Sequence, residues 1–472
     1  MHPRNKIMFF LPWYSETWGK RIVNNNPNIL FLVRQNVWSI DGQILEMRPA
    51  MNDGLMRHFA YVLDQIKLAT PLFSRNYDFM PFQETIIRES VFSVLALADQ
   101  LKKRKISLIY IGYAGSHHLD TLILELAARI QNIPQLYETH VINGLGVAVL
   151  KRDSFKEANL VHIMNSSDYK FSLTQEFNNG WNVPLSYGPK RPIKLFWLAV
   201  LIIIMRSVLN NAKHLVKTGF QKPFIKIKYF RRFNFFTVYR TLNRQKLALS
   251  TLQLFIEEDK YLIQQLMESK KINKKTPLVV IYAHHQPEVS SYPLGEEFHN
   301  YIDIVIALRN SGFKETIIYR EHPVTFHYYM KYQKNSLSGI ERSPEYYELL
   351  RNLNCLFVDT KVDLPEEEIV PLTITGNIAL QRASRGFNTI VVGQPWYKDM
   401  PNLIRDFSEL QPLNSRFENR IDLGACQRYI SFVEKYNIYV LPSRMPQGMQ
   451  SEEKLKSSFS KLLDSLLNLN LD

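Results

Sequence analysis

The chain has 472 residues, too many for one ordinary domain, so two or three are expected. Hydrophobic residues make up 46% of it, which excludes a disordered protein. Two cysteines, Cys355 and Cys426, exclude a disulfide framework; with no N-terminal signal pattern they point to a reducing, cytoplasmic compartment. The formal net charge of +14 is local: residues 190–256 carry fourteen Lys and Arg and no Asp or Glu. Such a block implies an acidic partner surface, whether anionic lipid, nucleic acid or a polyanionic substrate.

Residues 6–11 and 29–33 are short apolar runs bounded by turn residues and read as buried strands. Helical spacing of apolar residues predicts helices over 54–69 and 84–103. A β-rich run at 106–111 enters the loop Gly112-Tyr113-Ala114-Gly115-Ser116-His117-His118. Leu119, Leu122, Ile123, Leu126 and Ile130 then mark one face of a helix, and a strand follows at 135–140. This is a βαβ pattern. It lacks G-x-G-x-x-G, so no dinucleotide fingerprint is assigned. His117, His118, Asp120, Glu138 and His140 gather at the edge of this unit. Their spacing fits no zinc pattern, so no metal is assigned. Acceptor binding or general-base chemistry is expected of them, or, for Asp120, simple capping of the helix.

Residues 176–192 read as a loop or boundary. The uncharged run at 195–205, LFWLAVLIIIM, has 11 residues, against the ~20 that span a bilayer, so no transmembrane helix is expected. Residues 213–246 mix Lys and Arg with aromatics. This basic stretch could lie on an anionic membrane with the apolar run dipped into the headgroups. It could instead bind nucleic acid, or form a helical insert between domains. The run is too short to span and too apolar for water, which favours the membrane and leaves nucleic acid last.

A second α/β pattern starts at 278, with strands at 278–282, 316–319, 355–358 and 389–392 and helices at 296–310 and 344–351. Strands alternating with helices imply a parallel sheet covered on both faces. A terminal helix is expected over 451–467. Polar groups follow the strand ends, and in an open α/β sheet that edge binds ligands. After 282 come His284-His285-Gln286-Pro287-Glu288; after 319 come Arg320-Glu321-His322-Pro323. Pro323 holds the chain in an extended turn, so the His322 imidazole can donate to a phosphate oxygen. Arg320, two residues earlier, lies on the same side of an extended chain and can add charge-assisted bonds. The bland alternative is a loop histidine without a role. Thr373, Thr375, Gly376 and Asn377 open a helix whose free amides suit an anion, or Thr375 simply caps it. Gln381 projects from its first turns toward the ligand, and Gly386 permits a tight turn after it. Glu288 suits a base or a sugar-hydroxyl ligand, or is a solvated loop residue. Trp396 and Tyr397 suit stacking or a hydroxyl contact, or plain packing.

With these residues in view, the chain resembles the bacterial capsule and surface-polysaccharide biosynthesis proteins of the GT-B type, which include glycosyltransferases. The family's HYQPE…P.G segment is matched by HHQPEVSSYPLG at 284–295, and its KEHP segment by REHP at 320–323. Its TGT…WEA..RGKPV…G..WY segment is matched by TGNIALQRASRGFNTIVVGQPWY at 375–397. Gln381 stands where the family has Glu, and Arg320 where it has Lys. The second change keeps a cation; the first removes a carboxylate placed to contact the donor ribose, although Gln still hydrogen-bonds hydroxyls.

The resemblance implies two Rossmann-like domains facing a cleft, with a basic helical insert and a C-terminal helix packed back on the first domain. The expected ranges are 1–180 for an acceptor domain, 181–270 for the insert, 271–445 for a nucleotide-sugar domain and 446–472 for the helix. It implies a metal-independent transferase without a cofactor, acting on a nucleotide sugar and a glycan or lipid-linked acceptor. The expected donor-side residues are Arg320, His322, Pro323, Thr373, Thr375, Gly376, Asn377, Gln381 and Tyr397. Glu138 is the expected base, with Glu288 second. The protein is expected in the cytoplasm, held on the inner membrane through 190–246. The alternatives are a nucleotide-sugar epimerase of similar fold and a non-catalytic assembly subunit.

Overall fold

The computed structural model describes residues 6–10, 28–34, 38–41, 43–45, 53–68, 83–112, 119–140, 146–151, 159–160, 235–272, 278–284, 298, 300–322, 325, 342–405, 407, 421–436, 438–440 and 466. The first half supplies β1 (Lys6–Phe10), β2 (Ile29–Arg34), β3 (Trp38–Ile40), β4 (Gln43–Ile44), α1 (Asp53–Met56), α2 (Phe59–Leu68), α3 (Gln83–Lys103), β5 (Ile106–Ile111), α4 (Leu119–Ile130), β6 (Gln135–His140), β7 (Gly146–Lys151) and β8 (Asn159–Leu160). The second half supplies α5 (Phe235–Ile272), β9 (Leu278–Tyr282), α6 (Tyr301–Asn310), β10 (Ile317–Arg320), α7 (Pro344–Asn352), β11 (Cys355–Val358), β12 (Ile369–Thr373), α8 (Ile378–Ala383), β13 (Thr389–Val391), β14 (Leu403–Ile404), α9 (Leu423–Tyr436) and β15 (Ile438–Val440).

These form two α/β units, each on its own sheet. The first sheet runs β15-β7-β6-β5-β1-β2-β3-β4, with β8 on β7. Its centre, β6-β5-β1-β2, is parallel, and antiparallel strands extend both sides. The second sheet runs β11-β10-β9-β12-β13-β14 and is parallel throughout. The expected class of two Rossmann-like units is therefore the one found. Strands such as β9 read as unbroken apolar runs because both sheet faces are covered. Val279 and Ile281 of β9 point into the core shared with α6 and α7, while Leu278 and Val280 point into a second core on the opposite face.

Two features depart from the expected ranges. β15 crosses back and pairs antiparallel with β7, so residues 438–440 belong to the first sheet although they fall inside the expected 271–445 domain. The helix expected at 446–472 lies outside the described residues except for Leu466, which is buried. The basic insert expected at 181–270 ends in α5, whose apolar residues belong to the second unit. Residues 190–234, with the run at 195–205, lie outside the described residues.

Helix α5 covers the edge of the second sheet. Ala248, Leu249 and Leu252 pack into the core on one face, and Ile263 packs into the core on the other. Between them sits Asp259, fully buried, whose Oδ2 accepts the Phe357 amide of edge strand β11 at 2.8 Å. Its Oδ1 is paired with Arg351. An open strand edge invites wrong pairing; here a carboxylate on a covering helix satisfies it. Asp259→Ala strands the Phe357 amide away from water, so a loss of about 1–3 kcal/mol is expected in urea denaturation. Unchanged stability would show that α5 does not clamp this edge.

Candidate active site at the edge of the second sheet

In order of appearance the six strands of the second sheet lie 3-2-1-4-5-6, and the direction reverses between β9 and β12. Because all pairs are parallel, the carboxyl ends of β10, β9 and β12 emerge side by side at this switch point, where such sheets hold ligands. His284 follows β9, Glu321 and His322 follow β10, and Thr373 ends β12.

His284 is fixed at three of its polar groups. Its amide donates to Tyr301 Oη at 2.8 Å, and its carbonyl accepts from Arg342 at 3.1 Å. Its Nε2 accepts the Thr375 amide at 3.2 Å and lies 3.0 Å from Thr373 Oγ1, which itself accepts the Gly376 amide at 3.1 Å. This cradle needs glycine: a Cβ at 376 would stand 2.4 Å from Thr373 Oγ1 and 3.4 Å from His284 Nε2. Tyr397 Oη donates to the Gly376 carbonyl at 2.6 Å and holds the turn from the other side.

Glu321 is buried, and both of its oxygens are saturated. Oε1 accepts from the His322 amide, Thr325 Oγ1 and Arg342 Nη2; Oε2 accepts from Arg342 Nε, Tyr319 Oη and Tyr347 Oη. Burial alone would raise its pKa; the Arg342 charge and the donated hydrogen bonds outweigh that and hold it below the ordinary carboxylate value. Arg342 in turn lies over the Tyr346 ring at 4.7 Å. This buried pair joins the β10 end to the backbone of His284, so neighbouring strand ends share one polar network. His322, set beside it, is pushed down to about 4, chiefly by burial and further by Arg342, against an opposing pull from Glu321. His284 is pushed down to about 3 by burial, with His322 and Arg342 adding to it. Both rings are therefore neutral at pH 7.

The expected site residues divide accordingly. His322, Thr373, Thr375 and Gly376 meet at the switch point. The free-amide anion site expected at the helix start is corrected: the Thr375 and Gly376 amides already donate to His284 and Thr373. Thr373 Oγ1 accepts the Gly376 amide at this turn. Asn377 holds the N-cap position of α8 without a side-chain cap bond. The Arg320 guanidinium is directed to the Thr360 carbonyl and over the Tyr282 ring, 5.3 Å from its centroid, because β10 and β9 are in register at these two residues. The Tyr397 hydroxyl is spent on Gly376 and the ring is fully buried, which corrects its expected contact with the donor. Gln381 is half-buried on α8. Gly386 has φ +76°, the left-handed turn expected of it. In the first unit, Asp120 stands in the first turn of α4, and Glu138 and His140 lie on β6 opposite Val149 and Val147. The side chains of Glu138 and His140, and residues His117, His118, Glu288 and Pro323, lie outside the described ones. His284, Glu321, Arg342 and Tyr301 received no role in the sequence reading.

No protein-family model matches the chain, and no curated protein matches it. Among solved structures it is similar to UDP-GlcNAc 2-epimerase from Neisseria meningitidis bound to UDP-GlcNAc, at 15% identity over 98% of this chain and 100% of that one, with a TM-score of 0.20. A likeness at that score carries no argument. The fold assignment rests on strand order and register. Among the described residues, no helix is long and apolar enough to cross a membrane.

The neutral histidines are expected to make the protein acid-labile. An unfolded His284 takes up a proton near its ordinary 6.5, while the folded ring does so only near 3. Between those values the unfolded state binds more protons, so stability falls as pH falls. A loss of unfolding free energy from about pH 6.5 downward is expected, with a shallower slope in His284→Gln. Urea denaturation at stepped pH checks it; parallel slopes for the two proteins would contradict the buried neutral ring.

Proposed function

We propose that the protein is a nucleotide-sugar enzyme, a glycosyltransferase that moves a sugar to a glycan or lipid-linked acceptor in cell-surface polysaccharide synthesis. The observation that carries this reading is the meeting of His284, His322 and Thr373 at the switch point of a parallel sheet, braced by the buried Arg342–Glu321 pair. The acceptor hydroxyl attacks the anomeric carbon, the bond from that carbon to the nucleotide oxygen breaks, and its electron pair leaves with the phosphate. Donors fixed in advance at that phosphate lower the barrier. His322 serves as a neutral N–H donor rather than a cation. Glu138 takes the acceptor proton, with Glu288 as the second candidate, and the first unit holds the acceptor. The basic stretch 190–246 holds the protein, in the cytoplasm, on the anionic inner membrane.

A thermal-shift panel of UDP, GDP, TDP, ADP, CMP and their sugar conjugates tests the reading. A nucleotide that binds the native state raises the unfolding temperature, by an amount that grows with the logarithm of its concentration relative to its dissociation constant. No shift with any of them would end the proposal. An NMR time course with the stabilising nucleotide sugar and no acceptor then separates the chemistries, since conversion of the sugar under those conditions marks an epimerase. Co-sedimentation with anionic vesicles is expected for the intact chain, and its absence would remove the membrane part.

A further inference from the structure

The strand-end cradle around His284 does more than hold a side chain in place. Its amide, its carbonyl and its Nε2 all have protein partners. The Thr375 amide can only donate, so the Nε2 it points at must be unprotonated. A neutral imidazole with a bare Nε2 carries its hydrogen on Nδ1. Thr373 is compatible with this: its oxygen accepts the Gly376 amide, and its hydroxyl hydrogen is able to turn toward Nε2. Among the described residues, Nδ1 has no hydrogen-bond partner, although every other polar atom of the residue is engaged. A residue held this way at the carboxyl ends of β9 and β12 carries one donor, on Nδ1, and no charge.

We propose that His284 is a donor-binding residue in its own right: a single-tautomer imidazole whose Nδ1–H donates to a phosphoryl oxygen of the bound nucleotide. This rests on the nucleotide-sugar reading and adds to it a residue and a protonation state. Thr373, Thr375 and Gly376 become positioning residues that act through this ring rather than touching the ligand. Gly376 is then fixed by two demands, the close approach of Thr373 Oγ1 and the nearness of the ring. The three amino acids of the Thr375-Gly376 turn and the end of β12 thus set the tautomer of a histidine 89 residues away from Thr373.

Two substitutions separate the two nitrogens. In His284→Gln the amide oxygen stands near the old Nε2 and still accepts from Thr375, but the Nδ1 donor is gone. In His284→Asn the amide nitrogen stands near the old Nδ1 and restores a donor. Calorimetric titration with UDP, GDP, TDP, ADP and CMP is expected to show roughly tenfold or greater loss for Gln and a smaller loss for Asn, at unchanged unfolding temperature for Gln. Equal affinity of wild type and Gln overturns the proposal while leaving the nucleotide reading intact. If the wild type binds none of the panel, the nucleotide reading fails and this inference fails with it. Nitrogen-15 labelling of the histidines keeps the test alive should Gln misfold. The wild type must then show a ring with bare Nε2 and protonated Nδ1 that shifts when the bound nucleotide is added, and a protonated Nε2 at His284 overturns the proposal outright.

Discussion

Replacing Glu321 with alanine is expected to cost about 3–5 kcal/mol of unfolding free energy, the range for breaking a buried ion pair from one side. Arg342, 2% exposed, loses the counter-charge that Glu321 supplies, and three tyrosine and threonine hydroxyls lose their acceptor with it. Glu321→Gln keeps the shape but not the charge and is expected to fall between alanine and wild type. Removing both charges in a Glu321→Leu, Arg342→Met double variant is expected to be milder than Glu321→Ala alone, because no charge is then stranded. Urea denaturation of the four proteins at pH 7 decides this. If alanine costs less than about 1 kcal/mol, the pair is not the brace of this edge. The pH dependence has a definite sign. Since the folded carboxyl sits below its ordinary 4.5, its contribution is complete above that value and drains away as pH falls through the folded value. That adds to the acid lability of the neutral histidines instead of offsetting it.

The legibility of the fold tracks how local its causes are. Strands 106–111, 278–282 and 355–358 were readable to the residue because each is a largely apolar run closed by turn chemistry, and 135–140 was readable as the strand that follows Pro134. β12 was not seen. Its sequence IVPLT carries Pro371, which normally argues against a central strand. The strand tolerates it because pairing with β13 begins only at Leu372, one residue later. Helix α5 was expected only as part of a helical insert over 181–270, and its bounds were not readable for a different reason. Its buried side changes along its length, from Ala248 and Leu249 in one core to Ile263 in another, while Leu247, Leu254 and Tyr261 stay exposed. No single apolar stripe exists to be read.

The site shows the same division. His322 was visible because it follows a strand end, and the 373–376 turn because its hydroxyls and glycine open a helix. Arg342 was not, since it stands 21 residues from Glu321 and only the folded chain pairs them. A signal was nonetheless present. If Arg320 and His322 share one side of an extended chain, Glu321 must face the other way, into the core. A buried carboxylate demands a cation, and a search for one downstream would have reached the arginine just before the Ser343-Pro344 helix start.

Replacing His322 with alanine is expected to lower sugar transfer by about 100–1,000-fold, the scale for losing one fixed donor at a developing anion. Nucleotide affinity should fall as well, while the fold survives. The reason is that the hydrogen bond His322 gives Glu321 at 2.8 Å comes from its backbone amide, and alanine keeps that amide. The ring's low pKa, about 4, makes a second demand on the same experiment. If the neutral ring acts, the histidine contributes no change in rate between pH 6 and 8. If a cationic ring were required, wild-type transfer would climb steadily as pH fell through that interval, and the climb would vanish in the alanine variant. Steady-state rates for both proteins across pH 6–8, alongside their unfolding temperatures, separate the cases. An alanine variant that turns over like wild type would show that the His322 ring does not serve the departing phosphate.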